Sequence, residues 1–356
     1  MKVKLRPVFC GPWMVIAALA ALACANPTTE QPALVSTIGG MPGPEDLVVD
    51  TSSGRTRLLV SSLDRTDKTK SGNIFEVDLD ARPPRVSKLE IEWSGRDSRF
   101  RPHGIALLTD PPRPPRLFVI NHRSDFDPTE KESIDVFTVD GQTLHFFERI
   151  TGPHLRRPND LAVRSTRGGG YQLAVSNPAQ GGELLWERFV GPGRSYVTLL
   201  RSDEDFSTRM RGFRYANGVA FGPGGVLYVA SSIDEAVFGH VPDSPARTEI
   251  GLDMLVDNIT VEERGTMIVT GGGSMTKFLR HSSAAQKRKT DVPLSPTRVW
   301  RVDPGPPPRT TLLFEDGGWR ISGGSSAVCV KGDLYIGQVF GDFLLKAAGA
   351  CPEQRR

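Results

Sequence analysis

A short pattern recurs six times along this chain: one or two polar or small residues are followed at once by an alternating apolar run. Each run is followed by a second apolar run, as when residues 159–163 precede residues 171–175. Self-similar units of this length that contain several strands are typical of propellers. The six units begin at positions 45, 103, 159, 217, 257 and 325. We therefore predict an all-β fold, a six-bladed β-propeller in which the first strand of each unit lines a central channel.

The lengths of the units and their composition agree with this fold. The unit from 217 to 257 is the shortest, so it is predicted either to lack a strand or to share one. A closed ring leaves few unpaired edges, and a strand over residues 34–38 is expected to complete it. Period-2 alternation dominates, and no long amphipathic helix is predicted. The Gly271–Gly273 run is predicted to be a turn, and the segment from His281 to Pro296 an exposed loop.

Charge and composition indicate whether the protein is suited to bind nucleic acid. The chain is 38% hydrophobic and 24% charged, with a formal net charge of +3. Its Lys and Arg residues are scattered, without the basic stripe that nucleic-acid binding requires. We therefore expect no nucleic-acid partner.

The N-terminus has the pattern of a targeting segment. Residues 1–24 combine a basic start with an apolar stretch over residues 13–22, which is too short to span a bilayer. Residues 21–24 resemble a bacterial lipobox in which Cys24 would be lipidated, whereas ordinary cleavage near Ala23 or Ala25 is the alternative. Either interpretation predicts an exported protein, periplasmic or anchored to the membrane by lipid. Residues 25–40 are predicted to be a flexible tether, residues 41–347 the propeller and residues 348–356 a polar tail.

The chain contains four cysteines. Cys10 lies in the leader, Cys329 falls in an apolar run and is predicted to be a small core residue, and Cys351 lies in the predicted tail. No C-x-x-C spacing occurs, so the sequence does not suggest zinc. These positions alone do not assign a disulfide.

Oxygen-bearing side chains stand at the start of several units, where the propeller geometry brings them to one end of the channel. Calcium binds six to eight hard oxygen atoms, and carboxylates with amide oxygens provide them. Asn and Asp before a strand are also common turn residues, but the recurrence at equivalent positions favours a site. We predict a calcium ion there with positions left for water or substrate, held by Glu45, Asn159, Asn217, Asp257 and Asn258.

A second set of ligands lies next to the first. Asp46 and Asp160 each follow one of these residues, so strand alternation points their side chains the other way. Together with the backbone carbonyl of Ile105 they are predicted to hold a second, buried calcium ion that joins blades.

Two histidines lie in the second unit, at the same end of the channel. His103 opens the first strand and His122 follows the second. One imidazole of such a pair can accept a proton from water while the other supports it. A structural role is the alternative for each histidine taken alone, and the predicted calcium site beside them favours catalysis.

Through several short sequence motifs, this chain resembles the calcium-dependent paraoxonase/arylesterase family, which belongs with the gluconolactonases among six-bladed propellers. The resemblance covers nearly the whole mature chain, about residues 43–345. It rests on Pro44-Glu45-Asp46-Leu47, Arg101-Pro102-His103-Gly104-Ile105, Val119-Ile120-Asn121-His122, Pro158-Asn159-Asp160, Tyr215-Ala216-Asn217-Gly218, Leu255-Val256-Asp257-Asn258-Ile259 and Lys331-Gly332-Asp333-Leu334-Tyr335-Ile336-Gly337.

The resemblance implies the same two calcium sites and the same pair of histidines. It also implies hydrolysis of lactones and aryl esters, hence a small-molecule lactone or ester as substrate. The alternatives are a gluconolactonase-like hydrolase of sugar lactones and a non-catalytic binding propeller that keeps calcium for stability. An apolar pocket would favour acyl lactones and aryl esters over sugar lactones, and four residues suggest such a pocket: Phe126, Phe213, Phe340 and Phe343.

This chain departs from the family in two places. Family members join the N-terminal region to the last strand by a disulfide, whereas Lys346 stands near the expected last cysteine and Cys24 lies too early. A pocket-wall segment is replaced by residues 271–275, which predicts a pocket of different shape.

Overall fold

A computed structural model describes residues 34–67, 69–94, 99–178, 195–202, 207–242, 244–287 and 294–352. The predicted leader with Cys24, the first part of the tether and the last four residues of the tail lie outside these ranges. Across the described ranges, no helix has the length and apolar character needed to cross a bilayer.

The described residues form mostly strands, numbered here in chain order. They are β1 (Leu34–Gly39), β2 (Pro44–Asp50), β3 (Arg57–Ser62), β4 (Asn73–Asp78), β5 (Arg85–Lys88), β6 (Glu90–Glu92), β7 (Pro102–Leu108), β8 (Arg116–Asn121), β9 (Ser133–Asp140), β10 (Thr143–Thr151), β11 (Leu161–Ser165), β12 (Tyr171–Asn177), β13 (Ser195–Arg201), β14 (Ser207–Phe213), β15 (Ala216–Phe221), β16 (Leu227–Ser231), β17 (Ala236–His240), β18 (Arg247–Gly251), β19 (Leu255–Val261), β20 (Met267–Gly272), β21 (Thr297–Asp303), β22 (Arg309–Asp316), β23 (Gly324–Val330), β24 (Asp333–Gln338) and β25 (Phe343–Ala348). One α-helix, α1 (Met275–Gln286), and three short 3-10 helices (Arg123–Asp125, Pro223–Gly225 and Ser232–Asp234) accompany them.

These strands form six sheets, which are the blades of a six-bladed β-propeller, as predicted. Blade one is β2-β3-β4-β5, blade three β11 to β14, blade four β15 to β18 and blade five β19 to β22. Blade two has β7, β8, β9 and β10 plus β6, which pairs in parallel with β10. Blade four has all four strands, so the prediction that the shortest unit lacks or shares a strand is wrong. Its compact length reflects its short loops.

Blade six closes the ring with a strand from the N-terminal end of the described chain. Strand β1 pairs antiparallel with β25, from Leu34 opposite Ala348 to Gly39 opposite Phe343. The closing strand expected at residues 34–38 is therefore confirmed. The prediction of a flexible tether over residues 25–40 is wrong from Leu34 onward, because the free edge of β25 provides hydrogen-bonding partners that hold this segment.

The core lies between adjacent blades. In one cluster Leu47 of β2 packs with Val328 of β23, although they are far apart in sequence, and Leu344 of β25 joins them. All three are at most 2% exposed. Burying each such side chain stabilises the fold by about 1.5–3 kcal/mol, so the blades hold one another and keep the inner strands in register around the channel.

The C-terminal end is fastened by a disulfide between Cys329 and Cys351. Cys329 does lie in an apolar cluster, as predicted, but it is not a free thiol. Cys351 is only 5% exposed, so the prediction of a polar tail over residues 348–356 is wrong at this residue. The bond joins β23, the innermost strand of blade six, to the segment that follows β25.

Helix α1 was not predicted from the sequence, where only a long amphipathic helix was ruled out. The Ser274 side chain caps it by accepting a hydrogen bond from the Lys277 N–H at 3.4 Å. The helix extends into the segment from His281 to Pro296 that was predicted to be an exposed loop, and Ser295 beyond it is fully buried. With a length of 12 residues, the helix provides too few turns for a clear amphipathic repeat.

Candidate active site

The starts of the innermost strands meet at one end of the channel around a cavity of about 380 Å³, called here the first cavity. Four of the five residues predicted to hold the first calcium ion line it, and His103 lies beside them. The charged and amide side chains in its wall are Glu45, Arg65, His103, Asn159, Asn217, Asp257 and Gln286.

Irregularities in strand pairing place these side chains. The register shifts at Glu45 on β2, between Pro102 and Ile105 on β7, and between Ala216 and Val219 on β15. The shift on β19 falls at Asp257 and Asn258. A β-bulge releases residues from the ladder and re-aims their side chains. This explains why the polar residues at these shifts leave the regular alternation and face the channel.

Glycines let adjacent blades approach at the same level. A Cβ on Gly104 would lie 2.7 Å from the Asn159 carbonyl oxygen, and a Cβ on Gly218 would lie 2.6 Å from the Asn258 Cα. These distances are too short for any side chain. The glycines after His103 and Asn217 therefore set how closely the site residues of the next blade can approach.

The amide and carbonyl groups of the first cavity are tied together. The side-chain amide of Asn159 donates a hydrogen bond to the side-chain oxygen Oδ1 of Asn217. The Asn217 amide in turn donates to Ser232 Oγ at 3.1 Å. Ser325 and Ser326 of blade six donate to the backbone carbonyl of Glu45 at 2.5 and 2.7 Å. Hydrogen bonds thus connect residues of blades three and four, and of blades six and one.

The residues predicted for the second calcium ion face a second cavity of about 550 Å³. Asp46, Ile105 and Asp160 line it together with Asn258, which was predicted to serve the first ion. Asp46 Oδ2 accepts a hydrogen bond from the Ile105 N–H at 2.7 Å, and Asp160 Oδ2 accepts one from the Val219 N–H at 2.7 Å. Ile105 contributes its N–H group in this way, and a role for its carbonyl stays a prediction.

Buried carboxylates that repel one another dominate the electrostatics of both cavities. Burial and the charge of Asp160 raise the pKa of Asp46 well above its usual value. Burial, assisted by Glu45, likewise raises the pKa of Asp160, and burial with the charges of Glu45 and Asp46 raises that of Asp257. Burial opposes the charge of Glu45, yet His103 and Arg65 hold its pKa below its usual value. Such a concentration of negative charge favours a bound cation.

The oxygen atoms available to a cation fit this demand. Glu45 Oε2 and Asn258 Oδ1 are buried, and neither has a hydrogen-bond partner among the described residues. A buried acceptor without a partner costs about 1–3 kcal/mol, which an ion would offset. Within the described ranges, no three His, Cys, Asp or Glu side chains form a metal-binding group by themselves. Any hard cation here would therefore need the Asn amide oxygens as well, which suits calcium.

The two histidines are in direct contact, as predicted. His103 Nδ1 lies 2.6 Å from His122 Nε2, and the rings meet edge to face. His103 Nε2 lies 3.3 Å from Glu45 Oε1 at the first cavity. Burial lowers the pKa of His103 despite the attraction of Glu45, so its ring tends to be neutral and able to accept a proton.

Two charged residues at this site were not predicted. Arg65 lines the first cavity, and its guanidinium lies 3.6 Å from Glu45 Oε2. Glu132 Oε2 lies 3.3 Å from His122 Nδ1 on the side away from the cavity. Glu132 could have been found from the hairpin, because the pairing of Asn121 with Ser133 places residues 122 and 132 side by side. For Arg65 the sequence offered no signal.

The apolar wall of the first cavity comes from helix α1 and blade six. Met275 and Phe278 of the helix line it together with Val339 and Phe340. Of the four phenylalanines predicted to line the pocket, only Phe340 does so among the described lining residues. The others are used elsewhere: Phe126 packs under Arg101, Phe213 is fully buried between blades three and four, and Phe343 joins the core of blade six.

The sequence model of the family described as Arylesterase matches residues 56–346. The chain belongs to the arylesterase family. It is 28% identical over 287 residues to serum paraoxonase/arylesterase 1 of Mus musculus, covering 77% of this chain and 76% of that protein. Serum paraoxonase/arylesterase 2 of Gallus gallus is 27% identical, with 76% and 75% covered. Membership in this family supports hydrolase activity on a small molecule.

Solved structures show the same fold at low sequence identity. A gluconolactonase from Xanthomonas campestris is 18% identical with a TM-score of 0.52, covering 88% of each chain. A luciferin-regenerating enzyme is 13% identical with a TM-score of 0.54, covering 89% of this arylesterase-family chain and 95% of that chain. These likenesses support the propeller architecture and leave substrate choice to the residues of the first cavity.

Proposed function

We propose that this protein is a calcium-dependent hydrolase of lactones and aryl esters. The observation that supports it most is the arrangement around Glu45. One of its carboxylate oxygens lies 3.3 Å from His103 Nε2, and the other is buried without a hydrogen-bond partner in the described structure. A cation ligand and a base would therefore stand at one cavity wall.

The residues that would hold calcium are those predicted from the sequence. Glu45, Asn159, Asn217 and Asp257 line the first cavity, and Asn258, which follows Asp257, has a buried oxygen without a partner in the described ranges. Bound there, calcium supplies positive charge for the carbonyl oxygen of an ester and for the negative charge that develops on it. Asp46, Asp160 and the Ile105 carbonyl would hold a second ion between blades.

His103 would act on the water molecule that attacks the ester. Its Nε2 atom borders the first cavity, and its other nitrogen is held by His122 at 2.6 Å. A neutral ring in this position accepts a proton from water as the new carbon–oxygen bond forms. Glu45 then lies 3.3 Å from the protonated nitrogen and stabilises its charge.

The walls of the cavity favour an apolar substrate. Met275, Phe278 and Phe340 offer hydrocarbon surface suited to an acyl lactone or an aryl ring. Sugar lactones need several hydrogen-bonding groups in the wall. A hydrolase of sugar lactones is still the alternative to test, because a gluconolactonase has the same fold. A non-catalytic binding propeller is the other alternative.

Turnover of matched substrates tests the proposal. We expect the purified protein to hydrolyse phenyl acetate and a γ-lactone faster than glucono-δ-lactone. The His103→Gln variant should lose about 10²-fold or more in kcat, the usual contribution of a general base. Preference for the sugar lactone would favour the gluconolactonase-like alternative. Absence of turnover with a calcium-dependent rise in melting temperature would favour the binding propeller.

Export and lipid anchoring through Cys24 are part of the same proposal and rest on the sequence of residues 1–24 alone. Labelling with a palmitate analogue in a bacterial host tests them, with Cys24→Ala as the control. Label that persists in Cys24→Ala would contradict anchoring at this residue.

A further inference from the structure

Behind the two histidines lies a buried carboxylate. Glu132 is 3% exposed and immediately precedes β9. Its Oε2 atom lies 3.3 Å from His122 Nδ1. Both atoms are buried, and neither makes a hydrogen bond of good geometry with any residue within the described ranges, the other atom included. The two atoms therefore provide the one interaction that can satisfy both.

The other oxygen of Glu132 is fixed by its neighbours. Oε1 accepts a hydrogen bond from Ser124 Oγ at 2.6 Å and lies 3.7 Å from the guanidinium of Arg157. Burial opposes the charge of Glu132, yet its contacts with His122, Ser124 and Arg157 lower its pKa below the usual value. The carboxylate is thus held ionised, so it can only accept a hydrogen bond from His122.

A carboxylate lies 3.3 Å from the outer nitrogen at each end of the histidine pair, Glu132 at His122 Nδ1 and Glu45 at His103 Nε2, so either end could order the hydrogens. Glu132 is the end that sets them here, because Ser124 fixes its carboxylate whereas Glu45 is a proposed calcium ligand. A carboxylate at Nδ1 requires the His122 proton on that nitrogen, which leaves Nε2 of a neutral ring as an acceptor. His103 must then donate from Nδ1 across the 2.6 Å contact. Its Nε2 atom keeps the lone pair, and that atom borders the first cavity beside Glu45.

We propose that Glu132 is a positioning residue, which holds His122 in the Nδ1–H tautomer and thereby presents the lone pair of His103 to the cavity. This inference rests on the proposed function, for its catalytic consequence and for the role of Glu45 as a calcium ligand, and on the contacts of Glu132 for the tautomer. A carboxylate that orients an imidazole through its second nitrogen serves the same purpose in other hydrolytic sites.

Two variants separate orientation from charge. In Glu132→Gln the amide oxygen can still accept from His122 while the charge is removed. In Glu132→Leu both the acceptor and the charge are lost at similar volume. Glu130→Gln is the matched control, because Glu130 pairs with Arg99 and Arg123 at 2.8 Å and contacts neither histidine.

The first readout is the tautomer, measured by NMR on purified protein labelled with ¹⁵N in histidine and assigned with His122→Gln. We expect a protonated Nδ1 on His122 in the wild type, in Glu132→Gln and in Glu130→Gln, and loss of this single tautomer in Glu132→Leu. A protonated Nε2 in the wild type, or an unchanged tautomer in Glu132→Leu, would overturn the proposal. This result does not depend on whether a substrate is hydrolysed.

The second readout is phenyl acetate hydrolysis. We expect kcat to fall about 10–100-fold in Glu132→Leu, as for other residues that orient a site imidazole, with KM nearly unchanged because the cavity wall is intact. The loss in Glu132→Gln should be smaller, and Glu130→Gln should match the wild type. If Glu132→Leu does not fold, Glu132→Gln decides: a switched His122 tautomer contradicts the proposal, and a retained one supports it. Equal losses in kcat for the Gln and Leu variants would also contradict it.

Discussion

The Asp46 carboxylate of blade one accepts a hydrogen bond from the Ile105 N–H of blade two at 2.7 Å. The same relationship recurs between Asp160 of blade three and the Val219 N–H of blade four, also at 2.7 Å. Both aspartates also accept from the N–H of the residue that follows them, at 2.9 and 2.7 Å. These carboxylates therefore fasten adjacent blades at the centre of the channel.

We expect Asp160→Ala to destabilise the fold. The buried Val219 N–H would lose its partner, which costs about 1–3 kcal/mol, and a ligand of the proposed second ion would be lost. Chemical denaturation with and without calcium measures both effects. Thr260→Ala, which changes another residue of the second cavity, is the control. A calcium response equal to that of the wild type would contradict the ligand assignment of Asp160.

We expect Gly218→Ala to impair the site although Gly218 itself is not a proposed ligand. The added Cβ would lie 2.6 Å from both the Asn258 Cα and the Asp257 carbonyl oxygen, so blade five must shift. Activity on phenyl acetate and the midpoint of calcium reactivation should both worsen. Gly251→Ala is the matched control, because nothing described lies within 4 Å of its new Cβ. Equal activity and equal calcium midpoints in the two variants would show that the close approach of blades four and five is not needed for the site.

The positions of the site residues were predictable because the signal is local and repeated. Glu45, Asn159, Asn217 and Asp257 each precede an apolar run, and a propeller converts equivalent positions in sequence into neighbours in space. Which of the two cavities Asn258 lines was not predictable, because a β-bulge interrupts the alternation of side chains along β19 that the prediction assumed.

Contacts between distant or irregular segments could not be predicted. Cys329 and Cys351 are joined through the return of the last strand, which spacing alone does not reveal. Helix α1 is only 12 residues long, so the spacing of its apolar residues did not distinguish it from a loop. Side-chain direction decides whether a phenylalanine lines a cavity, and for Phe213 packing between blades prevailed.

We expect the disulfide to contribute to stability. Cys329 and Cys351 are separated by 22 residues, and closing a loop of about this length typically stabilises a protein by ~3 kcal/mol. The Cys351→Ser variant should unfold at lower denaturant concentration. A reducing agent should shift the wild type toward the variant and leave the variant unchanged. A wild-type midpoint that does not respond to complete reduction would contradict this contribution.

A buried ion pair predicts how stability changes in acid. Arg57 contacts Asp50 at 2.8 Å and Glu76 at 2.6 Å, all at most 2% exposed in their side chains. Burial acts to raise the pKa of Asp50, but hydrogen bonds from Ser52 and Arg57 lower it below its unfolded value, about 3.9. The resulting stabilisation is present above that value and is lost as the pH falls through the lower folded pKa.

Denaturation midpoints measured from pH 6 down to pH 2 test this sign. The wild type should lose stability over the acidic part of the range. In Asp50→Asn, which is less stable at pH 6, the decline should be shallower. Parallel curves for the two proteins would show that Asp50 does not contribute to acid sensitivity.

The proposed function requires calcium bound at the channel end for hydrolysis. The most direct measurement is phenyl acetate and γ-lactone hydrolysis by the purified protein before EDTA treatment, after it, and after calcium is restored. We expect activity that EDTA abolishes and calcium restores, while magnesium restores little because the site offers many flexible oxygen ligands. Full activity in a protein shown to be free of calcium would contradict it.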